Sequence, residues 1–321
     1  MLYLTAFVIS MVLVLVLIPP FRKLAVKIDF VDKPRPDSER KIHREPIPLT
    51  AGIAIFIGFF ISYFALTGTI SREAVGIFIG SVLILGIGLV DDWYKSQGKE
   101  LASLPKLIVQ ISAAVIVYSY GIQFEGFNNP FTGHYINLPE WLQLILTIFW
   151  IFGVTTVINF SDGIDGLAGG LSAISGGTLF VVAMTMGQSE SALLAVILVG
   201  AALGYLRYNK PPARVFMGDA GATFLGFILG IIALDGAFKG ATLASLFIPI
   251  FALGVPIIDN VIVVIRRMLQ SKPIYQADAS QAHYRLLATG LNQKQTLVFL
   301  CLLNLCFGLT AIILALNEAG A

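Results

Sequence analysis

Charged residues are scarce in this sequence, and their scarcity excludes a water-soluble fold. Only 12% of the 321 residues are Asp, Glu, Lys or Arg, whereas soluble domains carry about 25%. Hydrophobic residues make up 57% of the chain, and the mean hydropathy is +0.85. A surface that faces water on all sides cannot be built from this composition. We therefore predict an all-α polytopic membrane protein, with residues 1–321 forming one domain.

The residues that build disulfide frameworks and zinc sites are also few. The two cysteines, Cys301 and Cys306, lie together in an apolar run near the C-terminus, where they act as small apolar residues. The chain has only three histidines. A structural disulfide and a histidine-rich zinc site are therefore not expected.

Basic residues are missing from the first apolar run, which covers residues 2–20, and the first of them is Arg22. A cleaved signal peptide carries its positive charge before the apolar segment. The run has the length of about 20 residues that a bilayer requires. It is expected to be the first spanning helix.

Apolar runs of spanning length recur along the whole chain. They predict about ten helices, at 2–20, 47–66, 74–90, 105–122, 141–159, 166–186, 190–206, 220–236, 241–265 and 295–316. With the N-terminus outside, the cytosolic loops cover about 21–46, 91–104, 160–165, 207–219 and 266–294. When residues at helix ends are assigned to the nearer side, 19 of the 21 Lys and Arg residues lie inside and only Arg72 and Lys239 outside. Because positive charge stays in the cytoplasm, both termini are expected to face outward.

Five aspartates fall on the cytosolic ends of predicted helices: Asp91 and Asp92, Asp162 and Asp165, and Asp219. The three-residue spacing of the second pair predicts that both carboxylates begin the sixth helix on one face. Ionisable residues at the membrane are costly and are functional candidates. The five side chains therefore predict a cytosolic-face active site.

Helix capping is the alternative interpretation of these carboxylates. An Asp at a helix N-terminus accepts free amides and suits the helix dipole, so Asp162 is equally well explained as a cap. Asp91 and Asp92 are predicted at a helix C-terminus, where the dipole repels negative charge, and they need a cation. Oxygen ligands with few imidazoles favour Mg²⁺, or alternatively Mn²⁺, which commonly binds carboxylates together with substrate phosphates.

The motifs also carry a family resemblance. The segments "GLVDD", "NFSDGIDGLAGG", "PARVFMGDAG" and "GVPIIDNVIVVIRR" occur in this order, and the chain resembles the polyprenyl-phosphate N-acetylhexosamine-1-phosphate transferases over about residues 1–310. It is most similar to the bacterial branch that begins teichoic acid, O-antigen and related glycans. The sister branch, phospho-N-acetylmuramoyl-pentapeptide transferase, carries three consecutive histidines in the last cytosolic loop. This chain lacks them, so that branch ranks second.

The resemblance implies an enzyme and a reaction. A UDP-amino sugar, most closely UDP-N-acetylglucosamine, and undecaprenyl phosphate would give a lipid-linked diphosphosugar and UMP with Mg²⁺ as cofactor. The implied location is the bacterial cytoplasmic membrane, with the active site facing the cytoplasm. No nucleic-acid partner is expected, and a homodimer is compatible with the sequence.

Roles of individual residues are likewise implied by the resemblance. Asp219 matches a direct metal ligand, while Asp91 and Asp92 match a pair implicated in metal binding and lipid-phosphate activation. These three are the candidate catalytic residues. The matched substrate-binding positions form a nucleotide cluster, a uracil-stacking aromatic, a nucleotide-site asparagine, a basic first-loop element and part of the last loop. They are Asn159, Asp162 and Asp165 in the nucleotide cluster, Phe216 as the aromatic, Asn209 as the asparagine, Lys41 and His43 in the first loop, and His283 and Arg285 in the last loop.

Departures from the family pattern make the donor sugar less certain than the fold. In the last loop, "DASQAHYR" keeps Asp278, His283 and Arg285, but Gln281 and Tyr284 replace two histidines. The first-loop segment "PLTAG" places Leu49 where relatives have Arg. Asp259, inside the ninth predicted helix, fits a hydrogen bond within the bundle or a place in the active cleft equally well.

Two other classes of protein remain as alternatives. A transporter would also have many helices, but it places its coupling residues near the bilayer midplane, and here the aspartates share one border. A non-catalytic protein that binds a lipid phosphate is the third interpretation, supported by the loop departures.

Overall fold

The structure, a computed structural model, describes residues 1–34, 45–129, 132, 134–237, 246–271 and 280–319. The helices within these ranges are α1 (Leu2–Lys27), α2 (Ala51–Leu66), α3 (Arg72–Ser96), α4 (Ser103–Ser119), α5 (Glu140–Phe160), α6 (Leu167–Thr185), α7 (Ser189–Asn209), α8 (Gly218–Ala237), α9 (Phe247–Ala252), α10 (Gly254–Leu269), α11 (Ala282–Ala288) and α12 (Gln293–Ala319). Two antiparallel pairs of short strands complete them: β1 (Val31–Asp32) with β2 (Ile47–Pro48), and β3 (Gly126–Asn128) with β4 (Tyr135–Asn137).

Seven of these helices are long and apolar enough to cross a membrane, namely α1, α3, α5, α6, α7, α8 and α12. The shorter apolar helices α2 and α4 add to them. The predicted all-α polytopic membrane protein is confirmed. The number of spans and the side on which each terminus lies stay predictions.

Two helix boundaries differ from the sequence-based prediction. Helix α1 continues through Pro19 and Pro20 to Lys27, so the first loop does not begin at residue 21. Prolines are tolerated inside membrane helices because neighbouring groups satisfy the freed carbonyls. Helix α3 likewise continues to Ser96 and places Asp91 and Asp92 within its last turns.

The described part of the ninth predicted helix, from residue 246, is broken rather than continuous. It consists of α9 and α10, which meet at Leu253. The side chain of Asn304 on α12 accepts a hydrogen bond from Val255 N at 3.1 Å, and Gly254 lies directly against Phe307. A polar side chain from another helix thus satisfies an amide that the break would leave unpaired.

Helix α8 is the centre of the bundle. It packs against α2, α3, α5, α6 and α7. In its most apolar window 89% of the residues are buried, against 22% for α1. The loop that precedes α8 and its first turn are therefore held on several sides, and the candidate site forms there.

Glycines let α2 and α3 approach the first turn of α8. A Cβ atom on Gly88 would lie 2.3 Å from Ala220 Cα, and one on Gly52 would lie 2.6 Å from Gly221 N. Both neighbours are backbone atoms, which cannot move aside as a flexible side chain can. These two positions therefore require glycine for close helix packing.

Replacing Gly88 with Ala is expected to separate α3 from α8 and to destabilise the protein by about 1–3 kcal/mol, the usual cost of overpacking. Gly86→Ala is the matched control, since it lies one half-turn away on α3 with nothing within 4 Å of its Cβ position. That control should be neutral or stabilising by up to about 1 kcal/mol. Thermal unfolding in detergent measures both variants, and equal midpoints would contradict the packing argument.

Candidate active site

An ion-pair cluster joins α3 to the start of α8. The Lys95 ammonium lies 2.9 Å from Asp91 Oδ2 and 2.6 Å from Asp219 Oδ1. On α4, Lys106 Nζ lies 3.2 Å from both oxygens of Asp91. Asp91 is only 1% exposed, so its charge is compensated by these two lysines. Carboxylates that are 128 positions apart in the chain thus share one cation.

Neither lysine was predicted from the sequence as a site residue. A signal for Lys95 exists, because a lysine four residues after an aspartate lies on the same face of a helix. Lys106 has no such local signal, since it reaches Asp91 only through the packing of α4 against α3. In this structure Lys95 and Lys106 supply positive charge to Asp91.

Asp92 has different partners from its neighbour. Its Oδ1 accepts a hydrogen bond from Asp219 N at 2.8 Å, and its Oδ2 accepts one from Ala220 N at 3.1 Å. A carboxylate on α3 therefore caps the N-terminus of α8, where free amides and the helix dipole favour negative charge. Gly218, at φ +67°, makes room for this contact, because a Cβ atom there would lie 2.2 Å from Asp92 Oδ2. The predicted role of Asp92 as a metal ligand stays a prediction.

The aspartates of the "SDGIDG" segment lie in the turn between α5 and α6. The prediction that they begin the sixth helix is wrong, because α6 begins at Leu167 and its N-cap is Gly166, at φ +81°. Asp162 therefore does not cap this helix. Its amide bonds to the carbonyl of Asn159, in the last turn of α5, at 3.2 Å.

This turn is tied to the segment before α8. Asp165 Oδ2 accepts a hydrogen bond from Ala213 N at 2.9 Å. The Asn209 side chain accepts one from Gly166 N at 2.8 Å and donates one to Val215 O at 3.0 Å. Three of the predicted nucleotide residues, Asn159, Asp165 and Asn209, thus belong to one hydrogen-bonded unit with Asp162.

Asp162 connects this unit electrostatically to the ion-pair cluster. Burial and the nearby Asp219 carboxylate raise the pKa of Asp162 to about 7. The carboxyl groups of Asp162 and Asp219 therefore lie near enough for the charge of one to affect the ionisation of the other. A bound cation there would favour the ionised form of Asp162.

Phe216 lies in the segment that leads into α8. Its backbone amide donates to Pro48 O at 2.8 Å, and its carbonyl accepts from Ala51 N at 3.2 Å. Its side chain packs against an apolar cluster that includes Phe30 and Leu49. Leu49, at the position where the family resemblance predicts an arginine, belongs to the apolar cluster against which the Phe216 ring packs. Lys41, His43 and Asp278 lie outside the described residues.

Helix α11 brings the last loop to the same turn. His283 is 1% exposed and lies so close to Gly163 that a Cβ there would overlap its imidazole. Asp259 on α10 holds α11 in place: it accepts from Ala282 N at 2.8 Å and pairs with Arg285 Nη2 at 2.9 Å. Of the two interpretations of Asp259, these contacts favour hydrogen bonding within the bundle.

Acidification is expected to loosen α11. Burial, together with Arg285, lowers the pKa of His283 to about 4, while an unfolded imidazole has a pKa of about 6.5. The unfolded state therefore binds the proton more readily, so this contribution to stability is present above pH 6.5 and is lost as the pH falls through 4. Hydrogen-exchange protection of the α11 amides should fall roughly tenfold or more between pH 7.5 and pH 5.

Two substitutions test the origin of this pH dependence. His283→Gln should remove it, whereas His134→Gln, at an exposed position in the turn between β3 and β4, should leave it unchanged. Protection of α11 that falls equally in all three proteins would contradict the role of His283.

The chain is similar in sequence to known proteins. Residues 74–237 match the family model described as glycosyl transferase family 4. The chain is 37% identical over 309 residues to a probable undecaprenyl-phosphate N-acetylglucosaminyl 1-phosphate transferase of Bacillus subtilis, covering 96% of this chain and 84% of the relative. A decaprenyl-phosphate N-acetylglucosaminephosphotransferase of Mycobacterium tuberculosis is 28% identical, over 88% of this chain and 75% of its own length.

A relative of the sister branch is also similar. A phospho-N-acetylmuramoyl-pentapeptide-transferase of Listeria monocytogenes is 29% identical over 240 residues, covering 72% of this chain and 74% of the relative. The family match spans α3 to α8, the elements that carry Asp91, Asp162 and Asp219. The family prediction is confirmed: this multi-pass membrane protein belongs to glycosyl transferase family 4.

Proposed function

We propose that this protein transfers N-acetylglucosamine-1-phosphate from its UDP-sugar to undecaprenyl phosphate, which gives undecaprenyl-diphospho-N-acetylglucosamine and UMP. The main observation behind this proposal is that Asp91 and Asp219 both pair with the ammonium of Lys95. The charges of Asp219 and Lys95 also act on Asp162, in the turn that holds Asp165. Similarity to the Bacillus relative over 96% of the chain supports this choice of donor and acceptor. The reaction would be the first membrane step of a cell-envelope glycan such as teichoic acid.

We propose that the active site opens on the cytosolic side of the bacterial cell membrane. The distribution of Lys and Arg supports this orientation, because 19 of the 21 are assigned to the same side of the membrane as the five aspartates. A UDP-sugar is a cytosolic metabolite with a charge that the bilayer excludes, so its site must open to that side.

The described residues fit a divalent cation, with Mg²⁺ first and Mn²⁺ as the alternative. Asp91 and Asp219 present hard oxygen ligands to one positive charge, the ammonium of Lys95. Mg²⁺ commonly binds one or two carboxylates and completes its shell with water and substrate phosphates, so Asp91 and Asp219 would be a sufficient pair of protein ligands. When bound, the ion would neutralise the diphosphate of the donor.

The side chains of the site would align two anions rather than form covalent bonds. Phosphoryl transfer depends mainly on positioning and on charge stabilisation. A phosphomonoester has its second pKa near 6, so most of the lipid phosphate is already dianionic at pH 7 and a general base adds little. Asp91 would position this nucleophile or accept its residual proton, while Lys106 offsets the charge of the approaching phosphate.

The reaction is proposed as a single in-line displacement. An oxygen of the lipid phosphate attacks the β-phosphorus of the UDP-sugar, a new phosphorus–oxygen bond forms, and the bond to UMP breaks. The rival route proceeds in two steps through an aspartyl-phosphate. A phosphosugar adduct on Asp91 or Asp92, isolated after incubation with the donor but without lipid, would overturn the single displacement.

The function is tested with the purified protein in detergent, UDP-N-acetylglucosamine, undecaprenyl phosphate and Mg²⁺, by measuring UMP release. Release is expected only when donor, lipid and metal are all present, and EDTA should abolish it. UDP-N-acetylmuramoyl-pentapeptide, offered in parallel, should react at least about tenfold more slowly, because the last loop lacks the three histidines of that branch. No UMP from any UDP-amino sugar would refute the enzyme and leave a transporter or a lipid-phosphate binding protein.

A further inference from the structure

A separate pocket lies at the end of α7, where the chain leaves the helix. It is lined by Arg207, Tyr208, Lys210, Pro211, Pro212 and Arg214, and its volume is about 90 Å³. A water molecule takes up roughly 30 Å³ of liquid, so the pocket has room for a group of several heavy atoms. None of the residues assigned to the donor, the acceptor or the metal is among those that line it.

Positive charge dominates this pocket. Three of its lining side chains are cationic, and no acidic side chain is among the lining residues that the structure describes. Arg22 on α1 adds a fourth cation at the rim, where its Nε donates to Arg214 O at 3.2 Å. Within the described ranges, no carboxylate forms a salt bridge with any of the four. Like charges that line one cavity repel one another, and an anion bound between them would offset this repulsion.

The walls of the pocket are held in place by hydrogen bonds. Tyr208 donates its hydroxyl to Leu15 O on α1 at 3.0 Å, and Arg214 N donates to Tyr208 O at 2.8 Å. On its other side the same segment is fixed to the donor turn through Asn209 and Ala213. The arginines and the lysine therefore project from an anchored backbone rather than from a free loop.

The position of the pocket at the end of a spanning helix favours a lipid headgroup as its ligand. Helix α7 is a candidate span that ends at Asn209, so the pocket begins in the last turn of a spanning helix. Lipid headgroups lie at this level, and Lys and Arg bind the phosphates of anionic lipids there. The general excess of positive charge on the inner side explains the sign of these residues, but it does not explain their arrangement around a cavity. Guanidinium groups are suited to phosphate because they bind it through two parallel hydrogen bonds.

We propose that this pocket binds the headgroup phosphate of an anionic phospholipid, at a site distinct from the one that carries out the sugar-phosphate transfer. The inference depends on the pocket and its charges alone, so it stands whether or not the proposed reaction is correct.

The test measures lipid retention by the purified protein with native mass spectrometry, using phosphatidylglycerol and phosphatidylcholine as probes. The pocket variant combines Arg207→Gln, Lys210→Gln and Arg214→Gln. The matched control combines Lys27→Gln, Lys99→Gln and Lys294→Gln, three exposed lysines outside the pocket, so that both proteins lose the same charge. Wild type and control are expected to hold phosphatidylglycerol about tenfold more strongly than phosphatidylcholine, while the pocket variant should lose this preference.

Two results would overturn the proposal. One is an equal loss of phosphatidylglycerol from the pocket variant and the control, which would show that retention depends on the total surface charge and not on the pocket. The other is displacement of bound phosphatidylglycerol by inorganic phosphate at concentrations similar to those of the lipid, which would assign the pocket to a soluble anion. Thermal unfolding verifies that each variant is folded. If the triple variant fails to fold, the single variant Lys210→Gln, at an exposed position, replaces it. This single substitution is expected to weaken retention about threefold.

Discussion

Replacing Asp219 with Asn is expected to lower the rate of UMP release by about 10²–10³-fold or more, the range seen when one group that stabilises transition-state charge is removed. Asp219 lies in the first turn of α8 and shares the Lys95 ammonium with Asp91. Asparagine keeps the size of the side chain but removes the negative charge that a divalent ion needs. The effect should appear in kcat, and raising the Mg²⁺ concentration should restore the rate only in part.

Asp235→Asn is the matched control for this substitution. Asp235 lies near the other end of the same helix, where it hydrogen-bonds to Ser191, and its replacement should leave UMP release within about twofold of wild type. Folding of Asp219→Asn is expected to stay intact, because the substituted side chain is partly exposed and remains beside Lys95. Full turnover by Asp219→Asn would contradict the proposal that this residue binds a metal ion.

Replacing Asp92 with Asn is expected to have a different signature, a loss of stability together with a loss of activity. The carboxylate of Asp92 accepts the amides of both Asp219 and Ala220. An asparagine can accept only one of them, and its NH₂ group then faces the other N–H. A buried donor without a partner costs about 1–3 kcal/mol, so the unfolding midpoint should fall by the corresponding amount.

Activity of Asp92→Asn should decrease as well, by roughly tenfold or more, since displacement of the reacting groups by about 1 Å can cost 10²-fold. Asp92 would act by holding the first turn of α8, and with it Asp219, against α3. Thermal unfolding and UMP release measured on the same preparations separate the two interpretations. If Asp92 is only a metal ligand, turnover should fall while stability remains unchanged or rises, and the capping role is then wrong.

The comparison of Asp91 with Asp92 illustrates what a sequence conveys about a site. The two residues are adjacent, and the sequence offered the same role to both. In the structure Asp91 pairs with Lys95 and Lys106, whereas Asp92 caps α8. Adjacent residues on a helix point about 100° apart, so they meet different neighbours. Which neighbours these are depends on how α4 and α8 pack against α3.

The "SDGIDG" segment gave a prediction that was partly wrong for a related reason. Its spacing was interpreted as the start of a helix with both carboxylates on one face. The segment instead forms a turn, because Gly166 occupies the N-cap of α6 in a left-handed conformation and Asp165 bonds to Ala213 across the site. A hydrogen bond to a distant part of the chain is not visible in the local pattern. The prediction that these residues lie beside the other aspartates depends on topology and is in keeping with the electrostatic contact between Asp162 and Asp219.

The amino-acid sequence by itself determined the class of protein and the family. Its low charge and long apolar runs require a membrane, and the ordered aspartate motifs are those of the family that the comparisons then confirmed. These properties are local, since each depends on composition or on residues close together in the chain. Only the tertiary structure decided which carboxylates pair with the same lysine, which one caps a helix, and where a basic pocket for a second anion forms. Asp92 and Asp219 are 127 residues apart, and only the close packing of α3 on α8 at Gly88 brings their groups together.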